Sequence, residues 1–340
     1  MTDLGDLVQH TADRLAEQRA GVVVAAVAGG ATEIRGAGRT GGPDGAAPGP
    51  DTVFEIGSVT KVFTALALAR LTVAGATALD EPLADLLPAG ARVPARDGVP
   101  ITLRDLATHT SGLPRLPKGM LLGALLRPHA PDPYAGCTAD RLLDGLARTR
   151  LGAVPGRRFR YSNLGAGLLG LALARRAGGT YGDLVGGLIT GPLGLTDTRL
   201  DSDPARTAQG HSARLRPVPH WHLADLAGAG GLRSTGADLA RFLQEQLDPG
   251  RGESAEAIAL TRTVEHPVAP VAAVHLGWMS LRLHPRQGGH RRYWHNGGTG
   301  GFTSYLGFDP ERGVGVLALA NTARPVDSAA ELLTELQGAA

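Results

Sequence analysis

The chain has a single cysteine, Cys137, among 340 residues. No internal disulfide can form, and a metal site built on cysteine is excluded. Long apolar runs are missing too. The longest, Val62–Leu71 and Leu164–Ala174, are too short to span a bilayer, and arginines interrupt or end them. The first ten residues lack a basic segment followed by an apolar one, so they do not read as a secretory signal. An intracellular protein is expected, with export only through a leader outside this sequence. There is no excess of charge of one sign: the formal net charge is +2, and no basic stripe is visible. Neither nucleic acid nor a membrane surface is therefore an expected partner.

Lysine is the most telling scarcity. Lys61 and Lys118 are the only two lysines, and every other fixed positive charge is arginine. A position needing only a cation would usually hold arginine in this composition. Lysine suggests a group that must titrate.

The apolar fraction is 43%, ample for a core, and the length suits one large domain or two interleaved ones. Lys61 belongs to Gly57-Ser58-Val59-Thr60-Lys61, which precedes the apolar run Val62–Leu71. A hydroxyl and an amine three residues apart share one helix face. If the helix begins at Ser58, the serine oxygen sits where backbone N–H groups point outward and negative charge is favoured. A buried amine beside it can lose its proton and act as a base. The plainer reading is a capped helix start with a lysine stem lying over it.

Along the chain, Leu4, Leu7, Val8, Ala12 and Leu15 recur at helical spacing, with Asp3 or Thr2 as cap. Gly21–Ala28 predicts a buried strand, Gly29-Gly30 a turn, and Ala31–Gly36 a returning strand. Thr52–Ile56 is extended and leads to Ser58. Residues 60–215 read mostly helical with long loops: Thr102 and Asp105 form a capping box, and Leu164–Arg176 predicts a buried helix. Arg115–Pro133 is irregular and suits a mobile wall. After residue 220 the texture changes, with a helix over Leu239–Leu247. Strand-like runs follow at His275–Leu283, His290–Asn296, Phe302–Phe308 and Val314–Asn321, and then a helix over Ser328–Leu336. This is an α+β pattern: an antiparallel sheet from both termini, flanked by helices, with a mainly helical domain inserted. The expected division is 1–60 with 220–340 for the sheet domain and 61–219 for the helical one, with a cleft between them.

Two stretches now join Ser58 and Lys61. Tyr161-Ser162-Asn163 is a Tyr-x-Asn, and His295-Asn296-Gly297 is a His-x-Gly at a predicted strand. In this order they resemble the Ser-x-x-Lys, Tyr-x-Asn and Lys/His-x-Gly elements of penicillin-recognising serine hydrolases. The branch most resembled is that of class C β-lactamases and their DD-carboxypeptidase, D-aminopeptidase, esterase, amidase and acyltransferase relatives. The similarity covers most of residues 20–325.

The resemblance implies a β-lactamase/DD-peptidase-like fold and a covalent acyl-enzyme. Ser58 would be the nucleophile, with Lys61 and Tyr161 as a base system in which either could take the serine proton. Asn163 would bind the substrate carbonyl and hold Lys61. His295 would line the far wall, Gly297 would let the strand edge approach, and the N–H groups of Ser58 and Gly298 would form an oxyanion hole. Asn321 would contact a substrate carboxylate. Class C β-lactamases carry lysine where this chain has His295, a residue only partly charged near neutral pH. β-Lactam acylation is therefore expected to rise as pH falls toward 6. No cofactor and no metal is expected. His220 and His222 lack a third ligand and read as cleft wall or surface, and His109-Thr-Ser-Gly112 reads as a helix end with polar caps. The expected substrate is a small acyl molecule: an ester, a D-amino-acid peptide or a β-lactam. The alternatives are a slow-turnover penicillin-binding protein or sensor, and an intracellular acyltransferase. A monomer or weak homo-oligomer is expected.

Overall fold

The computed structural model describes residues 3–42, 45–117 and 132–339. Much of the stretch expected to form a mobile wall, and Lys118 with it, lies outside the described residues.

An eight-stranded antiparallel sheet runs in the order β2-β1-β10-β9-β8-β7-β6-β5. Its strands are β1 (Gly21–Ala28), β2 (Ala31–Gly38), β5 (Glu265–Ala269), β6 (Ala272–His275), β7 (Met279–Arg282), β8 (Arg291–Gly298), β9 (Thr303–Asp309) and β10 (Val314–Ala320). A two-stranded sheet pairs β3 (Val53–Glu55) with β4 (Arg233–Thr235). The helices that matter here are α1 (Leu4–Ala16), α2 (Thr60–Val73), α3 (Leu103–Ala107), α4 (Asn163–Arg176), α5 (Gly236–Leu247), α6 (Glu253–Thr263) and α7 (Ala330–Ala339).

Strand alternation explains why β1 is apolar at every position. Val22, Val24 and Ala26 pack with α1 (Val8, Ala12, Leu15) and α7 (Leu332, Leu333, Leu336). Val23, Ala25 and Val27 face the opposite core, which holds Phe63 of α2 and Phe242 of α5. Those two rings stack at 4.5 Å. A sheet covered on both faces needs apolar residues at both parities of its central strands.

Two boundaries depart from expectation. The run His275–Leu283 is not one strand: it divides between β6 and β7 at Gly277, where φ is 76°. β5 was not foreseen. It contains Pro267 and forms the outermost strand, where a missing N–H is tolerated.

Candidate active site

β3 delivers the chain to Ser58 through a single turn of 3₁₀ helix, Gly57–Val59, and α2 follows at Thr60. Ser58 therefore precedes the α-helix and does not begin it. Gly57 has φ 50°, and a Cβ there would lie 2.6 Å from the Gly298 nitrogen. A Cβ on Gly297 would lie 2.1 Å from the Ile56 carbonyl oxygen and 3.0 Å from the Ser58 nitrogen. Only glycine permits so close an approach of two backbones. The end of β8 thus lies against the Ser58 turn, and Ser304 Oγ ties them by donating to the Ile56 carbonyl at 2.7 Å. The pairing of β7 with β8 ends at Trp294, so the outer edge of residues 295–298 has no strand beside it. Ser58 and Gly298 both border the cavity beside that edge.

One turn into α2, Lys61 Nζ donates to Ser58 Oγ at 2.9 Å and to the Ala229 carbonyl at 2.5 Å. The Lys61 residue is 3% exposed. Burial lowers its pKa, and the neighbouring Tyr161 oxygen pulls it part of the way back. Its Nζ is 4.9 Å from the centre of the Tyr161 ring.

Tyr161 and Asn163 are held by the segment after α3. The expected capping box forms at Thr102 and Asp105, and Asp105 Oδ1 also accepts from Thr110 Oγ1 at 3.1 Å. Between them His109 adopts φ 58°, an uncommon conformation for a residue other than glycine. Its ring lies 4.4 Å from that of Tyr161, and its Nδ1 accepts the Ser162 N–H at 3.2 Å. Burial drives the His109 pKa well below its usual value, with Lys61 adding to the effect, so the ring is neutral. Ser162 caps α4 by accepting from Gly165 N–H at 2.9 Å. The Asn163 N–H donates to the Arg115 carbonyl at 2.9 Å, and Asn163 Oδ1 is buried without a partner among the described residues. Asn163 makes no hydrogen bond with Lys61; the Ala229 carbonyl holds the amine instead.

Two expectations need correction. His295 is 5% exposed, and burial pushes its pKa down to about 3, aided by Lys61. Its Nδ1 donates to the Asn296 carbonyl at 2.6 Å, which leaves Nε2 bare. The ring stays neutral far below pH 6, so it cannot supply a cation as pH falls toward that value. Asn321 is fully buried, and its amide nitrogen donates to the carbonyls of Arg39 and Thr40 at 3.1 and 3.3 Å. It fastens a loop under the sheet and does not line the cavity at Ser58.

That cavity, about 530 Å³, is bordered by Ser58, Tyr161, Asn163, Gly297 and Gly298. It is also lined by Arg115, which opens the stretch expected to form a wall, and by Tyr134, Trp221 and Asp327, which belong to no motif. Trp221 is fixed from behind: buried Glu55 accepts from the Trp221 N–H at 3.0 Å and lies 2.9 Å from His220 Nδ1. Cys137 is buried, and its thiol is pushed up to about 11. Among the described residues no group of three or more His, Cys, Asp or Glu is placed to hold a metal, and no helix is long and apolar enough to cross a membrane.

A half-exposed hydroxyl, a buried amine on it, a phenol beside the amine and two backbone amides at a free strand edge form the kit of a serine acyl hydrolase. The family assignment agrees. The family model described as Beta-lactamase matches residues 7–340, and the chain belongs to that family. It is a β-lactamase-related serine hydrolase. It is 32% identical to the D-alanyl-D-alanine-carboxypeptidase/endopeptidase AmpH of Escherichia coli K12, over 98% of this chain and 89% of that protein. The β-lactamase/D-alanine carboxypeptidase of Yersinia pestis, solved with citrate, superposes with a TM-score of 0.80 at 26% identity, covering 97% and 95% of the two chains. That of Pseudomonas syringae shares the fold with a TM-score of 0.83 at 23% identity, covering 99% of each.

Proposed function

We propose that Ser58 attacks an ester or amide carbonyl of a small acyl substrate and carries the acyl group as a covalent intermediate. The observation that carries this reading is the 2.9 Å contact of the buried Lys61 Nζ with Ser58 Oγ, a hydroxyl that borders the cavity. A lysine whose pKa is lowered by burial spends more time as the neutral amine that can take the serine proton. Lys61 and Tyr161 act as one coupled base. The carbonyl oxygen gathers charge at the N–H groups of Ser58 and Gly298. Tyr161, on the cavity wall, returns the proton to the leaving group, and the same pair then activates water. Asn163 binds the substrate amide with its unpartnered Oδ1, while Gly297 keeps the strand edge open. Neutral His295 borders Tyr161, with ring centres 6.3 Å apart, and contributes a bare nitrogen and no charge.

The lack of a fixed cation at position 295 favours peptide and ester substrates over β-lactams, and the likeness to a D-alanyl-D-alanine carboxypeptidase supports a D-amino-acid peptide. An intracellular substrate and a monomeric or weakly associating chain go with this reading; fractionation of the source cells and sizing of the purified protein check them.

The test is intact-protein mass spectrometry with p-nitrophenyl acetate and a fluorescent penicillin. Wild type gains an acyl mass on the peptide containing Ser58, and folded Ser58→Ala gains none. An adduct retained by Ser58→Ala would refute the mechanism.

A further inference from the structure

The space around Ser58 has two parts that meet at Ser58, Asn163 and Gly298. The smaller, about 30 Å³, is closed by Leu223, Leu226 and Ala229. The larger, about 530 Å³, is the cavity described above, and Tyr161 borders only this one. A departing amine must be protonated as it leaves. On the reading of Ser58 and Tyr161 just given, the leaving group therefore lies in the larger part and the acyl group points to the smaller.

The larger part carries two opposite charges. Arg115 is exposed, with its guanidinium 5.4 Å from the centre of the Tyr161 ring. Asp327 is half-buried beside the β8 edge, and its Oδ1 accepts from Asn296 Nδ2 at 2.6 Å. Among the described residues, neither has an ion-pair partner within 4.0 Å. Arg19 feels the Asp327 charge from a greater distance, but its own donors go to the carbonyls of Leu15, Arg324 and Pro325. Lys61 and His295 do not line the cavity. An anionic leaving group alone would meet Asp327, and a cationic one alone would meet Arg115.

We propose that the leaving group is an amino acid with a cationic side chain, its carboxylate facing Arg115 and its side-chain ammonium facing Asp327. The positive charge must sit on the side chain, because the α-nitrogen is tied up in the scissile amide. In the reaction the Ser58 Oγ–carbon bond forms and the carbon–nitrogen bond breaks. The serine proton passes through Lys61 and Tyr161 to the leaving nitrogen. Water then cleaves the ester, giving a carboxylic acid, the free diamino acid and regenerated serine.

The experiment uses acetyl-D-alanyl-D-lysine, its Nε-acetyl derivative and its C-terminal amide, with p-nitrophenyl acetate as the reference for Ser58 acylation. Wild type should prefer the free ammonium over the acetylated side chain by about fivefold in kcat/KM, and the free carboxylate over the amide by a similar factor. The first ratio should fall to about one in Asp327→Asn, and the second in Arg115→Gln. Suppose p-nitrophenyl acetate still acylates Ser58. Equal rates on the three peptides, no cleavage of any of them, or ratios that survive the substitutions would then overturn the proposal and leave the acyl-serine reading standing. Failure of the nitrophenyl ester to acylate Ser58 would overturn both.

Discussion

One wall of the cleft is made of side chains and the other of backbone. On the helical side Tyr161 and Asn163 line the cavity with Lys61 buried behind Ser58, and each is held in place: Lys61 by the Ala229 carbonyl, Tyr161 by the His109 ring and Asn163 by the Arg115 carbonyl. On the strand side Gly297 and Gly298 bring bare main chain up to the Ser58 turn, and the nearest ionisable ring, His295, is buried and neutral. On the proposed mechanism the helical wall moves protons and the strand wall holds charge without moving any. Its tolerance to change should differ accordingly: chemistry decides on one side, and space on the other.

Substitution at Lys61 should give the largest effect. Lys61→Arg keeps the charge but cannot release its proton, so its kcat/KM should fall with that of Lys61→Ala, by roughly 10³-fold. Steady-state kinetics on a nitrophenyl ester checks this, and substantial activity in Lys61→Arg would make the helical wall an electrostatic prop. On the strand wall, Gly297→Ala tests space alone. The added methyl meets the Ile56 carbonyl at 2.1 Å and should pull the Gly298 amide away from the oxyanion, at a loss of about 10²–10³ in kcat. Wild-type kcat in a folded Gly297→Ala would mean the two backbones need not be so close.

His109→Ala should be milder. It removes the ring under Tyr161 and the acceptor of the Ser162 N–H, so kcat should drop by about tenfold while KM changes little. If KM rose and kcat held, His109 would be supporting the binding surface and not the phenol. The smallest effect concerns pH. On the proposed mechanism the competent form of Lys61 is the neutral amine, so kcat/KM should climb with pH through a pKa that burial holds below the ordinary 10.5. His295, at about 3, should add no step between roughly pH 5 and 8. Profiles of wild type and His295→Gln should share one shape; a limb near neutrality present only in wild type would assign a titrating role to the strand wall.

The sheet and its two helical covers were readable because period-two and period-3.6 patterns are local. Ser58 and Lys61 were readable for a related reason: three residues along one continuous helical path, a 3₁₀ turn running into α2, fix their distance, and the rarity of lysine marked the position. What escaped was supplied by other parts of the chain. The Ala229 carbonyl has no side-chain signature. His109 read as a helix end because its contact with Tyr161 spans 52 residues of sequence, a separation that no local pattern reports. His295 was misjudged in charge because its burial is a tertiary fact. Asn321 stands at the end of a strand beside the site, but its amide turns toward Arg39 and Thr40. Arg115 and Asp327 belong to no motif, and only the fold puts them in one cavity.

The bond from Ser304 Oγ to the Ile56 carbonyl joins residues 248 positions apart. Such a contact closes a very large loop, and chain entropy makes it slow to form. The helical block between can gain its turns earlier, from neighbours in sequence. During refolding, then, helical structure should come well before the oxyanion hole, and competence to be acylated should arrive as the last event, together with the docking of β8 on the Ser58 turn. Until that moment the nucleophile and its lysine can already lie one turn apart, yet would have nothing to stabilise the charge they create. Late docking would keep an incomplete protein from reacting.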